Sequence, residues 1–158
     1  MRIGIDCRIY NSSFTGIGRY TQELIRNFAK LNHEHELILF FNNPAYSKFT
    51  PPNSKVKKVL VNAPHYSFKE QTLFLKKLNS ENFDLVHFPH FNVPIFYSKP
   101  YIVTIHDLTL TLFPGQKMTR WYHRLAYYLT IKNAVKRAKK IIAVSNNTKQ
   151  DIITHLKV

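Results

Sequence analysis

Three short stretches of this chain carry the groups that could do chemistry. The first is Thr15-Gly16-Ile17-Gly18-Arg19-Tyr20, which holds two of the chain's four glycines. It lies between a strand-like run, Arg2-Ile3-Gly4-Ile5-Asp6-Cys7, and a helical pattern on Ile17, Tyr20, Leu24, Phe28 and Leu31. A glycine-rich turn that opens a helix leaves free backbone N–H groups at the positive end of the helix dipole. Such a turn suits phosphate or another anion, and Gly16, Ile17, Gly18 and Arg19 are the candidate binding residues. The same spacing also fits a plain strand-to-helix turn. The second stretch is His87-Phe88-Pro89-His90-Phe91-Asn92-Val93-Pro94, and the third is His106-Asp107. A histidine on a strand-end loop can serve as a general base or orient a hydroxyl. Strand end, flanking acid and loop position coincide at His106, which makes His106 and Asp107 the catalytic candidates. Asp107 would steer the ring or cap the loop backbone. His87, inside a strand pattern, reads as a core histidine.

Several chemistries do not fit. The Walker pattern needs Gly-Lys-Ser/Thr, which does not occur. The dinucleotide fingerprint would need glycine where Thr21 stands, and an acid where Asn42-Asn43 follows the second strand. There is no G-x-S-x-G elbow. His87, His90, His106 and Asp107 would be the metal ligands, but there is no His-Glu-x-x-His helix and only one cysteine, Cys7. His87 and His90 also point differently, one from a strand and one from a loop. Neither a metal nor a cofactor is expected.

These residues need a frame, and strand and helix patterns alternate to supply one. Strands are expected at 2–7, 36–41, 56–61, 84–88, 101–105 and 140–144. Helices are expected after the glycine turn, from a Ser67 cap to Leu78 with Glu70 as capping-box partner, from about Thr119 to Lys139, and from Ser145 or Asn146 onward. Residues 42–55 and 89–100 read as loops. The pattern predicts an α/β fold: a Rossmann-like, mostly parallel sheet with helices on both faces. Ligands of such sheets bind beyond the carboxyl ends of the strands, which selects the loops starting at Cys7, Phe88, Ile105 and Val144.

The chain has 158 residues, the size of one domain spanning 1–158, and can bury roughly 70% of its unfolded surface without disulfides. Met1 runs directly into the first strand, and no apolar run approaches the ~20 residues of a spanning helix, so a cytoplasmic location is expected. Lys plus Arg number 23 against 9 acids, a net charge of +14. Such a field attracts polyanions, although a Lys-rich composition also serves solubility. Leu108 to Gln150 holds no acid and nine basic residues, with Trp121, Tyr122, Tyr127 and Tyr128 interleaved. Trp121, Leu125, Tyr128, Val135 and Ala138 form the stripe expected to pack on the sheet. Arg120, Trp121 and Arg124 are the candidate contacts to an anionic membrane surface. Nucleic acid would suit the charge equally, but no nucleic-acid motif is present. Lys136, Arg137, Lys139 and Lys140 could merely complement a helix C-terminus.

In order along the chain, Gly4-Ile5-Asp6-Cys7-Arg8, the glycine turn, 84–94, Val103-Thr104-Ile105-His106-Asp107-Leu108 and Ala138–Ser145 resemble the first domain of family-4 retaining glycosyltransferases. The closest flavour is the mannosyltransferase-like branch that builds surface polysaccharides. The resemblance implies one half of a two-domain GT-B architecture, the acceptor-side half. It places Gly16 and Gly18 near the diphosphate of a nucleotide-sugar donor and His106 near the reacting sugar. His90 and Asn92 belong to the same substrate-binding set. It implies metal-independent transfer to a glycan or lipid-linked acceptor, at the inner face of the membrane. The family's donor-binding domain, with its basic pair and E-x7-E stretch, has no counterpart here, so little activity is expected from this chain alone. The chain is then expected to be either a truncated product or one subunit of a split enzyme, in which a C-terminal-domain partner subunit would supply that half. Two other readings share the fold: a non-catalytic nucleotide- or anion-binding module, and a basic nucleic-acid-binding protein.

Overall fold

The computed structural model describes residues 1–10, 15–31, 34–112 and 121–158, with Thr15 described by its backbone alone. Six parallel strands form one sheet: β1 (Arg2–Asp6), β2 (Glu36–Phe41), β3 (Val56–Leu60), β4 (Leu85–Phe88), β5 (Tyr101–Ile105) and β6 (Lys140–Ala143). Their order is β3-β2-β1-β4-β5-β6. The chain winds outward from β1 to β3, then returns to the other side of β1 and winds outward again. This Rossmann-like α/β arrangement puts the switch of direction between β1 and β4, where ligands of open parallel sheets bind. The helices are α1 (Thr15–Lys30), α2 (Ala45–Lys48), α3 (Leu75–Ser80), α4 (Thr109–Leu112), α5 (Trp121–Arg137) and α6 (Asn146–Asp151). A π-helical turn, Glu70–Phe74, leads into α3, and another, Ile152–Leu156, follows α6.

Alternation along β2 divides the core in two. Leu37, Leu39 and Phe41 pack with Ile3, Ile5, Cys7 and Ile25 on one face. Ile38 and Phe40 face the other way, toward Phe74, Phe88, Tyr101 and Ile131. This is the period of two that a strand imposes. Gly4 brings β1 against the second core. A Cβ there would lie 3.2 Å from the Phe83 ring and from Val86 Cγ2. Cys7 is fully buried, and burial pushes its thiol well above its ordinary value, so it is a small core side chain.

Four expectations need correction. The loop at 42–55 contains the short helix α2. Leu31 lies past the end of α1 and is exposed. Ser67 does cap its helix, because its hydroxyl accepts from Glu70 N at 3.3 Å. Glu70, however, does not return a bond to Ser67. Its carboxylate accepts from Tyr66 N and turns into the core. The largest correction concerns α5. Trp121, Leu125 and Tyr128 are exposed, and the buried face is Tyr127, Ile131, Ala134 and Val135. Apolar residues surround this helix on all sides, so periodicity alone did not select the packed stripe. Tyr127 can be buried because its hydroxyl meets Thr111 Oγ1 at 2.9 Å. The expected Thr119 cap and Arg120 lie outside the described residues.

Candidate functional site

Three loops meet beyond the carboxyl ends of β1, β4 and β5. From β1 comes α1, whose first turn contains both glycines of the motif. Gly16 is exposed, and a Cβ built on it meets nothing within 4 Å among the described residues. Among the described residues the space there is open, and the first N–H groups of a 16-residue helix border it. Ile17 is half-buried, Gly18 buried and Arg19 exposed. Thr21 is fully buried and donates its hydroxyl to Ile17 O at 2.9 Å, so a packed side chain stands where a dinucleotide fingerprint has its third glycine.

His106 leaves the end of β5 half-buried. Its Nε2 is 2.8 Å from Pro89 O. A carbonyl only accepts, so Nε2 donates, and Nδ1 is the nitrogen that holds the lone pair whenever the ring is uncharged. The Tyr20 ring packs edge-on against this imidazole, with centroids 5.0 Å apart. Asp107 does not steer the ring. Its Oδ1 accepts from Thr109 N at 2.9 Å and caps α4, the second of the two roles open to it. The backbone of His106 is held as well: its carbonyl accepts from Thr148 Oγ1 at 3.0 Å, and Ser145 caps α6 by accepting from Thr148 N. The β6–α6 turn therefore fixes the β5 loop.

Beneath His106 lies a chain of three groups. Tyr20 Oη is 3.1 Å from Thr104 Oγ1, and His87 Nε2 is 2.8 Å from the same oxygen. Thr104 is fully buried and His87 nearly so. Burial, aided by the neighbouring His106, lowers His87 to about 4, so it stays neutral. His90 is lowered to about 3 by burial and by the facing His65 and His106. A neutral buried histidine whose folded pKa lies below its ordinary 6.5 adds stability that is complete above about 6.5 and lost as pH falls toward about 4. We expect the urea midpoint to drop from about pH 7 to about pH 4.5, and the slope to shrink in His87→Gln. A His87→Gln slope as steep as that of the parent would contradict this assignment.

Asn92, expected to face a ligand, is instead buried and committed to the protein. Its amide donates to both carboxylate oxygens of Glu70 at 2.6 Å. Glu70 also takes Arg8 Nη2 at 2.6 Å, and Asp6 takes Arg8 Nε and Nη2 at 2.8 and 2.7 Å. Arg8 Nη1 donates to Ala63 O, and its guanidinium lies 3.8 Å over the Phe74 ring. Burial alone would raise the Asp6 carboxyl, but the charge and hydrogen bonds of Arg8 outweigh it and leave Asp6 below its ordinary value. This ionic cluster joins the ends of β1, β3 and β4 under the site. Sequence reading gave no site role to Arg8, Thr104 and His65, and read Glu70 only as a helix cap. A lone arginine directly after a buried strand was the available signal.

No group of three or more metal-ligating side chains that could hold an ion occurs among the described residues. The arrangement offers backbone donors for an anion at α1, an imidazole nitrogen nearby, and a rigid polar floor. Trp121 is 73% exposed and, with Tyr122, Leu125 and Leu129, forms an apolar strip on the outer end of α5, with Arg124 in the same turn. No described helix is long and apolar enough to cross a membrane. A comparison with curated proteins gives no match. The model of the family described as Glycosyltransferase Family 4 matches residues 14–158.

Proposed function

The chain belongs to glycosyltransferase family 4, so its function is of the glycosyltransferase type, and from that premise we propose that it is the acceptor-side half of a retaining, two-domain GT-B enzyme. In this reading it moves a sugar from a nucleotide-sugar donor to a glycan or lipid-linked acceptor of a surface polysaccharide. The observation that carries it is the meeting of the open glycine turn at Gly16 with the positioned imidazole of His106, joined through Tyr20. The donor diphosphate lies against the first turn of α1, where backbone N–H groups and the helix dipole favour negative charge. Arg19 adds a side-chain cation. His106 sits by the reacting sugar, its Nδ1 available to a hydroxyl. His90 borders the same space, and a second Rossmann-like domain faces it with most of the donor contacts.

Gly16 tests the diphosphate part directly. A side chain there meets nothing among the described residues, so Gly16→Val should leave thermal stability within a degree or two. It should fill the space in front of the helix and weaken donor binding at least about tenfold, roughly 1.4 kcal/mol. Unchanged donor affinity in a folded Gly16→Val protein would remove the diphosphate from this turn.

We propose further that the outer end of α5 rests on anionic lipid at the inner face of the membrane, where a lipid-linked acceptor is met. The exposed Trp121, Leu125 and Leu129 supply the interfacial apolar strip. Each nearby basic residue adds about 1 kcal/mol, weakened by salt. Co-sedimentation with anionic vesicles is expected at low salt, to fall at high salt, and to be lost in Trp121→Ala/Arg124→Glu. Equal binding to neutral and anionic vesicles would rule out this surface.

A further inference from the structure

A second opening lies along the same carboxyl edge of the sheet as His106, at the ends of β2 and β3. It is a cleft of about 620 Å³, lined by Asn42, Asn43, Asn62, His65, Tyr66 and Lys69, with Arg8 at its floor. We propose that this cleft binds a neutral stretch of the acceptor glycan, beyond the sugar that reacts; the assignment to an acceptor rests on the transferase reading above.

The loop that forms the cleft is pinned from several sides. Asn42 brackets Ala63, donating to its carbonyl and accepting from its N–H, both at 3.0 Å. Arg8 Nη1 donates to the same carbonyl at 3.1 Å. Ser67 Oγ donates to Pro64 O at 2.6 Å, and Glu70 accepts from Tyr66 N at 3.0 Å. The pinned backbone holds two non-glycine residues in the left-handed region, Asn62 at φ 54° and Tyr66 at φ 60°. That conformation costs energy and persists where surroundings enforce it. What it presents is a Tyr66 side chain 67% exposed and an Asn62 amide with no hydrogen bond among the described residues. His65 Nε2 is buried without a partner among the described residues, an unfilled polar position.

The chemistry selects the ligand class. A carboxamide offers a donor and an acceptor side by side, the complement of a sugar hydroxyl. An exposed phenol ring offers a flat apolar face and a polar tip, suited to the C–H face of a pyranose. Charge argues against an anion. Arg8 is neutralised within the protein by Asp6 and Glu70, and Lys69 alone adds to it, so the four charges cancel. Position argues for a remote unit. β2 and β5 are three strand spacings apart, roughly 14 Å. A ligand that reaches from the end of β5 to the end of β2 is longer than one sugar ring, and His90, with its ring centroid 6.5 Å from that of Tyr66, lies between the two.

The test is two-dimensional ¹⁵N–¹H NMR of the chain with maltose, cellobiose and α-1,2-mannobiose, and with glucose 1-phosphate and UDP as controls. At least one neutral disaccharide should shift Asn43, Asn62 and Tyr66. Asn62→Gly and Tyr66→Gly delete the side chains where glycine accepts the backbone angle, and each should weaken binding at least about fivefold with the fold retained. No shift with any disaccharide overturns the proposal, as do shifts confined to the Gly16–His106 region, stronger binding of glucose 1-phosphate at the cleft, or unaltered affinity in both variants. UDP shifts at α1 alongside a silent cleft would leave the transferase reading standing and remove only this subsite. Disaccharide shifts at the cleft with no UDP effect at α1 would keep this subsite and remove only the diphosphate from the α1 turn.

Discussion

Replacing His106 with alanine, in the chain joined to a donor-binding domain, should cut sugar transfer by about 10²–10⁴ while moving the melting temperature little. The ring is half-buried, its one hydrogen bond among the described residues runs to Pro89 O, and the loop backbone is held separately by Thr148. Removing the ring therefore costs one neutral hydrogen bond and modest packing, roughly 1 kcal/mol. The catalytic loss is larger because Nδ1, on the other side of the ring from the Pro89 bond, can meet a substrate hydroxyl. A second substitution separates positioning from packing. Tyr20→Phe keeps the ring against His106 but removes the bond to Thr104, and it should lower turnover less than His106→Ala. If His106→Ala melts early and the folded fraction keeps full specific activity, His106 is a packing residue and the site lies elsewhere.

Arg8→Met should destabilise the fold by about 3–5 kcal/mol, the usual cost of leaving a buried charge without its partner. Asp6 and Glu70 would remain in the core, both nearly unexposed, with the forked donor between them gone. The loss extends to Ala63, whose carbonyl would keep only Asn42. The pH dependence has a definite sign. In the parent, the Asp6 carboxyl is held below its ordinary 3.8, so its stabilisation is complete above that value and is lost as pH falls through the lower folded one. Without Arg8, burial prevails and the carboxyl is raised, so mild acid should stabilise the variant relative to itself at neutral pH. Urea unfolding of parent and variant at several pH values measures both effects. A loss below about 1 kcal/mol would mean that water or rearrangement replaces the arginine.

The frame of this fold was legible because its signals are local. β2 at Glu36–Phe41 and β5 at Tyr101–Ile105 have the bounds that their apolar runs indicate, and Ser145 caps α6 as its position suggests. The strand-end rule then located His106 and the glycine turn in one region. The site's floor was not legible, because its partners are remote in sequence. Arg8 meets Glu70 across 62 positions and Tyr20 meets Thr104 across 84. No periodicity announces such pairs. Glu70 was misassigned for a related reason: its place three residues after Ser67 fits a capping box, but a buried guanidinium attracts a carboxylate more strongly than an exposed N–H does. Asn92 was read as a ligand contact for its loop position, and Glu70 claims it. On α5 the burial face depends on which way the helix rolls against the sheet, a tertiary fact that apolar residues on every side do not encode.

The measurement that tests the account most directly is sugar transfer itself, by the chain joined to a family donor-binding domain. A panel of nucleotide sugars would be incubated with a lipid-linked acceptor extract, with nucleoside diphosphate release and acceptor mass followed together. The account predicts that one donor is consumed, that the acceptor gains one sugar residue for each diphosphate released, and that both signals fall, by about 10²–10⁴ in His106→Ala and by at least about tenfold at sub-saturating donor in Gly16→Val. Undiminished transfer in both variants, or donor cleavage without any gain in acceptor mass, would contradict it.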